Sequence, residues 1–347
     1  MDAHRQSSEA LLDLVRQGKA CVADNMAATV HCRLGPLSFA VVSNSAALCE
    51  RLTRCLVKGG TGEDLTITLL SGSHPPFAQP PAWNLPHSDD RHTERLHLSR
   101  EGDLSALYNP DFEQWTILDQ MRRQGLMWVA RDEQIPFWEE GAPFKLILHW
   151  FLGPTRLCLV HGGIVGNGRH GCMLLGPGGS GKSTTVAASF DHGLTVCGDD
   201  LALIEDCGSH WRAWGLYDAL KLDPAGQKPM PTRLAEAASV PCGDKRLLRY
   251  SDLAPDRFAK TMNLTALVQC VVAHTPFTAI KPASPAAILR ALAPPTIFLL
   301  RGREDTTLTK IGKLVRSLPG YRLELGDDPA EAAAALQGWL DGAERAA

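Results

Sequence analysis

The stretch GPGGSGKSTT, from Gly176 to Thr185, constrains the fold of this chain more than any other part of the sequence. It follows the apolar run GCMLL and opens a segment of helical character that reaches Gly193. Closely spaced glycines let backbone N–H groups converge on an anion, and the N-terminus of the following helix adds positive potential. The stretch therefore predicts a strand, a phosphate-binding loop and a helix, in that order.

The stretch fits the pattern G-x-x-x-x-G-K-[ST], in which each position has an expected role. Lys182 is expected to reach the β- and γ-phosphates of a nucleoside triphosphate, and the Ser183 hydroxyl to help hold Mg²⁺. ATP and Mg²⁺ are therefore the predicted cofactors. The residues expected to bind the nucleotide are Gly176, Pro177, Gly178, Gly179, Ser180, Gly181, Lys182, Ser183 and Thr184.

Two adjacent acids follow the predicted helix. The run LTVCGDDLALIE predicts a buried strand that ends at Asp199 and Asp200, followed by another strand. Because only a short helix separates this strand from the loop, both carboxylates are expected near the γ-phosphate. One can hold Mg²⁺, and the other can accept a proton from an attacking hydroxyl. The predicted metal-binding residues are thus Ser183, Asp199 and Asp200.

A histidine precedes the loop. The runs RLCLVHGGIV and GCMLLGP predict a hairpin around Asn167-Gly168, and His161 lies in the first of them. The two glycines after His161 permit a close approach of the backbone. An imidazole beside the carboxylates can orient or tune a base near neutral pH. His161 therefore joins Lys182, Asp199 and Asp200 as a predicted catalytic residue.

The order LVHGGIVG, GPGGSGKSTT, LTVCGDDLALIE resembles the catalytic domain of the HPr kinase/phosphorylase superfamily, particularly its shorter bacterial relatives, the HPr-kinase-like serine kinases. The resemblance covers about residues 143 to 340 and includes GLYDALKLDP, GDKRLL and YRLELGDDPAEAAAALQGWL. It implies an α/β fold related to phosphoenolpyruvate carboxykinase, with a mixed sheet flanked by helices. It also implies phosphoryl transfer from ATP to a serine hydroxyl of a protein, a peptide or a small molecule.

The resemblance assigns roles by position. It implies that Lys182 binds phosphate, that Ser183 binds Mg²⁺, that His161 is an active-site residue and that Asp200 accepts the proton, beside Asp199. The full-length enzymes carry a metal-binding glutamate in a Glu-x-Arg-Gly stretch, whereas the matching segment here reads WRAWGLYD, with Arg212 at that place. This departure leaves the second metal contact and the reverse, phosphate-removing activity open.

The length of 347 residues predicts two domains. The segment DEQIPFWEEGAP places a boundary near residue 140, so we expect an α+β domain over 1–140 and the catalytic domain over 141–347. In the first domain ATVHCRL and LSFAVVS predict a hairpin, followed by a helix capped by Asn44 or Ser45, and residues 74–92 read as a surface loop. This domain matches no family by its motifs, and we expect it to select the target.

Late in the chain, LVQCVVA and TIFLL predict strands, and residues 328–340 predict a closing helix with Asp328 as its cap. Several basic residues of the second half of the chain are weaker candidates for neutralising the phosphoryl group. They are Lys221, Lys245, Arg246, Arg249, Arg301 and Arg303.

Composition excludes several classes of protein. Apolar residues make up 44% and charged residues 21%, with a net charge of -3, so neither pronounced disorder nor a nucleic-acid or membrane partner is expected. The N-terminus lacks a secretory pattern, and no apolar run approaches the roughly 20 residues that cross a bilayer. The ten cysteines show no metal-binding spacing, which favours reduced thiols in the cytoplasm. The expected partner is a serine-bearing protein or peptide, and the full-length relatives suggest a homo-oligomer.

Two alternatives stay open at this point. A small-metabolite kinase also has acids soon after the loop, although such enzymes usually carry an arginine-bearing lid. A nucleotide-binding regulator with slow ATP hydrolysis would need a residue that orients water. An ABC-type ATPase is disfavoured, because the sequence contains no LSGGQ-like stretch.

Overall fold

The computed structural model describes residues 2–72, 97–222, 234, 237, 239–243 and 245–346. The chain divides into two compact units, Met1–Phe151 and Leu152–Ala347. The separate roles that the sequence suggests for 1–140 and 141–347 stay predictions. The surface loop predicted over 74–92 lies outside the described residues.

The first unit consists of a mixed sheet with helices packed against it. Its helices are α1 (Asp2–Asp24), α2 (Ala46–Thr53), α3 (Trp138–Gly141) and α4 (Lys145–Leu152), and Asp132–Gln134 forms a 3-10 turn. Its strands are β1 (Ala28–Leu34), β2 (Leu37–Ser43), β3 (Leu65–Ser71), β4 (His97–Glu101), β5 (Leu104–Asn109), β6 (Gln114–Asp119) and β7 (Gln124–Val129). Among the described residues the sheet has the order β1-β2-β3-β7-β6-β5-β4, in which β3 runs parallel to both of its neighbours.

Local sequence signals explain much of this unit. The predicted hairpin is confirmed, because β1 and β2 pair antiparallel around Gly35, whose φ of 66° suits a glycine. The predicted cap of α2 is also confirmed, since the Oγ atom of Ser45 accepts a hydrogen bond from the N–H of Leu48. Helix α1 was not predicted. It packs Leu11 and Val15 into a cluster of buried side chains on the sheet.

The second unit holds most of the predicted motifs. Its helices are α5 (Lys182–Asp191), α6 (Tyr250–Leu253), α7 (Pro285–Leu299), α8 (Glu304–Ser317) and α9 (Pro329–Ala346), and Pro255–Arg257 forms a 3-10 turn. Its strands before α6 are β8 (Leu157–His161), β9 (Gly163–Gly166), β10 (His170–Leu175), β11 (Thr195–Gly198), β12 (Leu201–Asp206), β13 (Trp211–Trp214), β14 (Leu220–Leu222), β15 (Val240–Cys242) and β16 (Lys245–Leu248). The strands after α6 are β17 (Thr261–Val272), β18 (Ala279–Pro282) and β19 (Gly320–Leu325).

Within the described part of this unit, nine strands form one sheet in the order β11-β9-β10-β17-β13-β12-β8, with β19 beside β17 and β18 beside β19. Successive side chains along a strand lie on opposite faces of the sheet, and each face packs into its own hydrophobic core. Leu174 and Val268 pack with helices α5 and α9, whereas Met173 and Leu267 pack with α7 and α8. The expected mixed sheet flanked by helices is therefore confirmed. Strands β14, β16 and β15 form a separate small sheet.

The strand predicted for TIFLL is wrong. Residues 296–300 lie in and directly after helix α7, which begins at Pro285 behind the N-cap Ser284. The run is rich in residues that favour strands, but Ile288 and Leu292 bury one face of the helix against the sheet, and this packing outweighs local propensity. The strand predicted for LVQCVVA is confirmed within β17, and the closing helix is confirmed as α9.

The hairpin around Asn167-Gly168 is confirmed only for the residues nearest the turn. Strands β9 and β10 pair antiparallel across it, and the predicted single strand RLCLVHGGIV is divided at Gly162 into β8 and β9. Strand β8 pairs with β12 instead of β10. Among the described residues, no helix is both long and apolar enough to cross a membrane.

Candidate active site

The site is built around a bend in two paired strands. Gly162 separates β8 from β9, and Asp199 and Asp200 separate β11 from β12. Strand β9 pairs with β11 and β8 pairs with β12, both antiparallel, so the four strands form one bent ribbon. His161 lies opposite Leu201, and the N–H of Gly162 donates a hydrogen bond of 3.1 Å to the carbonyl oxygen of Asp200. The two acids therefore lie at the bend, across from Gly162.

The glycines in LVHGG leave room for close contacts at this bend. A Cβ atom on Gly163 would lie 2.5 Å from Cγ2 of Val186 and 3.2 Å from Oδ1 of Asp199. A Cβ atom on Gly162 would lie 2.9 Å from the carbonyl oxygen of Leu174. Helix α5 and strand β10 thus approach the ribbon at a distance that a side chain at either position would prevent.

The glycine loop, residues 176–181, connects β10 to α5. Gly176, Gly179 and Gly181 have φ angles of 144°, 78° and 92°, which residues with a Cβ atom adopt rarely. The Nζ atom of Lys182 donates hydrogen bonds of 2.7 and 3.0 Å to the carbonyl oxygens of Gly176 and Pro177. The lysine therefore folds back across the loop, and burial lowers its pKa.

Ser183 and Asp199 connect the first turn of α5 to the bend. The Oγ atom of Ser183 donates a hydrogen bond of 3.2 Å to Oδ1 of Asp199, which is 2% exposed. The other carboxylate oxygen, Oδ2, is buried without a hydrogen-bond partner among the described residues. Burial, and then the neighbouring charge of Asp200, raise the pKa of Asp199 to about 6. A buried carboxylate with an unsatisfied oxygen fits a cation ligand.

Asp200 contacts the side chains of Lys221 and His161. Its Oδ2 atom accepts a hydrogen bond of 2.9 Å from Nζ of Lys221, and its Oδ1 atom lies 3.5 Å from Nδ1 of His161. Its φ angle is 65°, a left-handed conformation that Asp and Asn adopt more easily than other residues with a side chain. The turn is tight, since the N–H of Leu201 donates a hydrogen bond of 2.8 Å to the carbonyl oxygen of Asp199.

His161 is a buried, neutral group at the end of β8. It is 8% exposed, and burial lowers its pKa to about 4, although the charge of Asp200 acts in the opposite direction. Its backbone N–H donates a hydrogen bond of 2.9 Å to Oγ1 of Thr296 on helix α7. Its Nδ1 atom, 3.5 Å from the Asp200 carboxylate, is buried without a hydrogen-bond partner among the described residues.

The remaining basic candidates have other contacts. Arg212 stacks over Trp214, Arg246 donates to the carbonyl oxygen of Ala237, and Arg301 stacks over Phe298. Arg249 pairs with Asp218 and Asp252, Arg303 precedes the first turn of α8, and Lys245 lies near enough to lower the pKa of Lys182 through its charge.

The structure thus brings His161, Lys182, Ser183, Asp199 and Asp200 to one place, together with the glycine loop. Lys221 and Thr296 belong to the same place. Lys221 carried only a weak signal in the sequence, as a lysine after a strand-like run, and Thr296 carried none, because its run read as a strand.

The side chains present fit Mg²⁺ bound together with phosphate oxygens. Mg²⁺ prefers oxygen ligands and is commonly held by one or two carboxylates and the phosphates of a nucleotide. The Ser183 hydroxyl and the Asp199 carboxylate are such oxygen ligands, held 3.2 Å apart. Among the described residues, no group of three or more His, Cys, Asp or Glu side chains is arranged to hold a metal ion.

Comparison with solved structures gives a weak resemblance to a known protein. No family model matches the sequence, and no curated protein matches it. The solved structures that resemble this chain include the Hpr(Ser) kinase/phosphatase from Coxiella burnetii, at 10% identity and a TM-score of 0.29, over 54% of this chain and 96% of that chain. A likeness at this level establishes neither a shared fold nor a shared activity.

Proposed function

We propose that the unit Leu152–Ala347 is an ATP-dependent serine kinase, which transfers the γ-phosphoryl group of Mg-ATP to a serine hydroxyl of a protein or peptide. The observation that carries the proposal is the contact between the glycine loop and the paired acids. Ser183, directly after the loop, lies 3.2 Å from Asp199, and Asp200 is the next residue along the bend. A terminal phosphoryl group bound by the loop would therefore be adjacent to a carboxylate.

The residues divide the chemistry as follows. The amides of residues 176–181 and the ammonium of Lys182 bind the phosphates, and Ser183 and Asp199 would hold Mg²⁺, which would supply positive charge to the phosphate oxygens. Asp200 accepts the proton of the serine hydroxyl as the serine oxygen forms a bond to Pγ. The bond from Pγ to the bridging oxygen breaks at the same centre, and ADP leaves. His161 orients the Asp200 carboxylate.

The substrate and assembly belong to the same proposal. We expect residues 1–140 to select the serine-bearing protein or peptide and the chain to form a homo-oligomer. A small-metabolite kinase and a nucleotide-binding regulator would use the same loop, so the test has to separate these three activities.

The test is transfer of label from γ-labelled ATP. Purified protein is incubated with Mg²⁺, labelled ATP and either a protein lysate or serine-containing peptides, and the labelled residue is mapped. Asp200→Asn should reduce transfer by about 100-fold or more while nucleotide binding persists. Asp206→Asn is the matched control, because Asp206 ends the strand that begins after Asp200.

The possible outcomes separate the serine kinase from the two alternatives. Labelled serine that disappears in Asp200→Asn supports the proposal, and label that appears only in small molecules supports a metabolite kinase. Nucleotide binding with neither kind of transfer, together with slow release of phosphate to water, would mean that the protein is a regulator and that the proposal is wrong.

A further inference from the structure

Lys221 is placed by a different part of the chain from the rest of the site. It lies at the centre of β14, between Leu220 and Leu222, which are both buried. The strand pairs with β16 in the small three-stranded sheet. Because side chains alternate along a strand, Lys221 points away from the core that holds its two neighbours. Its Nζ atom reaches Oδ2 of Asp200 at 2.9 Å.

This ion pair differs from an exposed one. The Lys221 side chain is 16% exposed and that of Asp200 is 34% exposed, so both charges have lost part of their hydration. Burial acts to lower the pKa of Lys221, but the charge and hydrogen bond of Asp200 outweigh it and raise the pKa. The lysine is therefore a fixed cation next to the proposed proton acceptor, at the bend where the terminal phosphoryl group would lie.

Charges of both signs meet at the bend before nucleotide binds. Lys182 and Lys221 are positive, Asp199 and Asp200 carry the opposing charges, and His161 is neutral. A triphosphate adds several negative charges next to two carboxylates, and charge is stabilised most effectively by groups already in position. Lys182 is bound to two carbonyl oxygens of the loop, where the motif predicts contacts with the β- and γ-phosphates. Lys221, bound to the proposed proton acceptor Asp200, is a second cation placed for the terminal phosphoryl group.

We propose that Lys221 is a catalytic residue that exchanges partners. Without nucleotide its ammonium binds Asp200, and with nucleotide it binds the oxygens of the terminal phosphoryl group, which frees the Asp200 carboxylate to accept the serine proton. An ammonium group has three N–H donors, so it can turn from one acceptor to the other without moving the backbone. This inference rests on the proposed function, and it adds a contact that depends on the γ-phosphate alone.

The test compares binding of a non-hydrolysable imido analogue of ATP with binding of ADP, both with Mg²⁺, by titration calorimetry. Lys221→Met should weaken binding of the analogue by about tenfold or more, equivalent to about 1.4 kcal/mol, and change ADP binding by less than about twofold. Lys182→Met should weaken both. Lys221→Arg keeps the charge and should retain most of the preference for the triphosphate.

Lys313→Met is the matched control, because Lys313 forms an ion pair with Asp206 at the far end of β12. It should leave both affinities unchanged. Equal effects of Lys221→Met on the two nucleotides, or no effect on either, would overturn the role of Lys221 and leave the kinase proposal standing. A wild-type protein that binds neither nucleotide would overturn the proposed function itself.

Discussion

The hydroxyl of Thr296 accepts a hydrogen bond of 2.9 Å from the backbone N–H of His161 and donates one of 2.7 Å to the carbonyl oxygen of Leu292. Thr296 is fully buried on helix α7, whereas His161 ends strand β8. One side chain thus fastens a helix to the strand end that carries a residue of the candidate site. The contact positions His161 without making Thr296 a catalytic residue.

Thr296→Val is expected to destabilise the protein by about 1–3 kcal/mol, because the N–H of His161 loses its acceptor in a buried place. Thr307→Val is the matched control: Thr307 is also buried in a helix and donates to the carbonyl oxygen of Arg303 four residues earlier. Thr307→Val removes only that hydrogen bond, so it should lower the free energy of unfolding by less than Thr296→Val does. Urea denaturation measures both changes, and equal losses would show that the contact with His161 contributes nothing.

Gly163→Ala is expected to cost about 1–3 kcal/mol, because the new methyl group would overlap Val186 and press on Asp199. The displaced carboxylate should also weaken Mg²⁺-dependent nucleotide binding. Gly178→Ala is the control, since a Cβ atom there would meet no described atom within 4 Å. Its stability should stay within about 0.5 kcal/mol of the wild type. Thermal unfolding measures both variants. Equal melting temperatures would contradict the overlap of the new methyl group with Val186 and Asp199.

Asp200→Ala is expected to be about 1–2 kcal/mol less stable than Asp200→Asn, because a left-handed φ of 65° strains alanine but suits asparagine. Both substitutions remove the charge that pairs with Lys221, but the asparagine amide can still accept a hydrogen bond from it, so the two are compared in a Lys221→Met background, where their difference reports the backbone. Denaturation of the two variants under identical conditions measures it. Equal stabilities would mean that the turn relaxes to a conformation that alanine tolerates.

The pH dependence of stability should carry a contribution from His161. Its pKa is about 4 in the folded protein against 6.5 ordinarily, so between these values the unfolded chain binds more protons and stability rises with pH. Asp199 makes the opposite contribution. Its pKa of about 6 in the folded protein lies above the ordinary 3.8, so the stability that it contributes falls as the pH rises from 3.8 to 6.

Comparison with His161→Gln isolates the first of these contributions. The metal-free wild type should gain stability relative to the variant as pH rises from 4 to 6.5, with no further gain above. Titration of the imidazole by NMR checks the cause directly, because the signal that disappears in the variant should titrate near pH 4. An imidazole that titrates at its ordinary value would contradict the burial on which the neutral form depends.

Much of the second unit could be predicted from neighbours in the sequence. The spacing of Gly176, Gly181 and Lys182 predicted a loop between a strand and a helix, and β10 and α5 are found there. Asp328 was predicted to cap the closing helix, and its side chain accepts a hydrogen bond of 2.9 Å from the N–H of Ala330. These features follow from interactions within a few residues, which a local pattern records.

The bend of the ribbon, the helical state of residues 296–299 and the position of Lys221 were decided by tertiary structure. His161 lies beside Asp200 because β8 pairs with β12, and Lys221 reaches the same carboxylate from a separate small sheet. Strand pairing, and packing of α7 on the sheet, join residues far apart in the chain. A pattern of neighbouring residues does not predict these three features, because their hydrogen bonds and buried contacts form only when the distant segments meet.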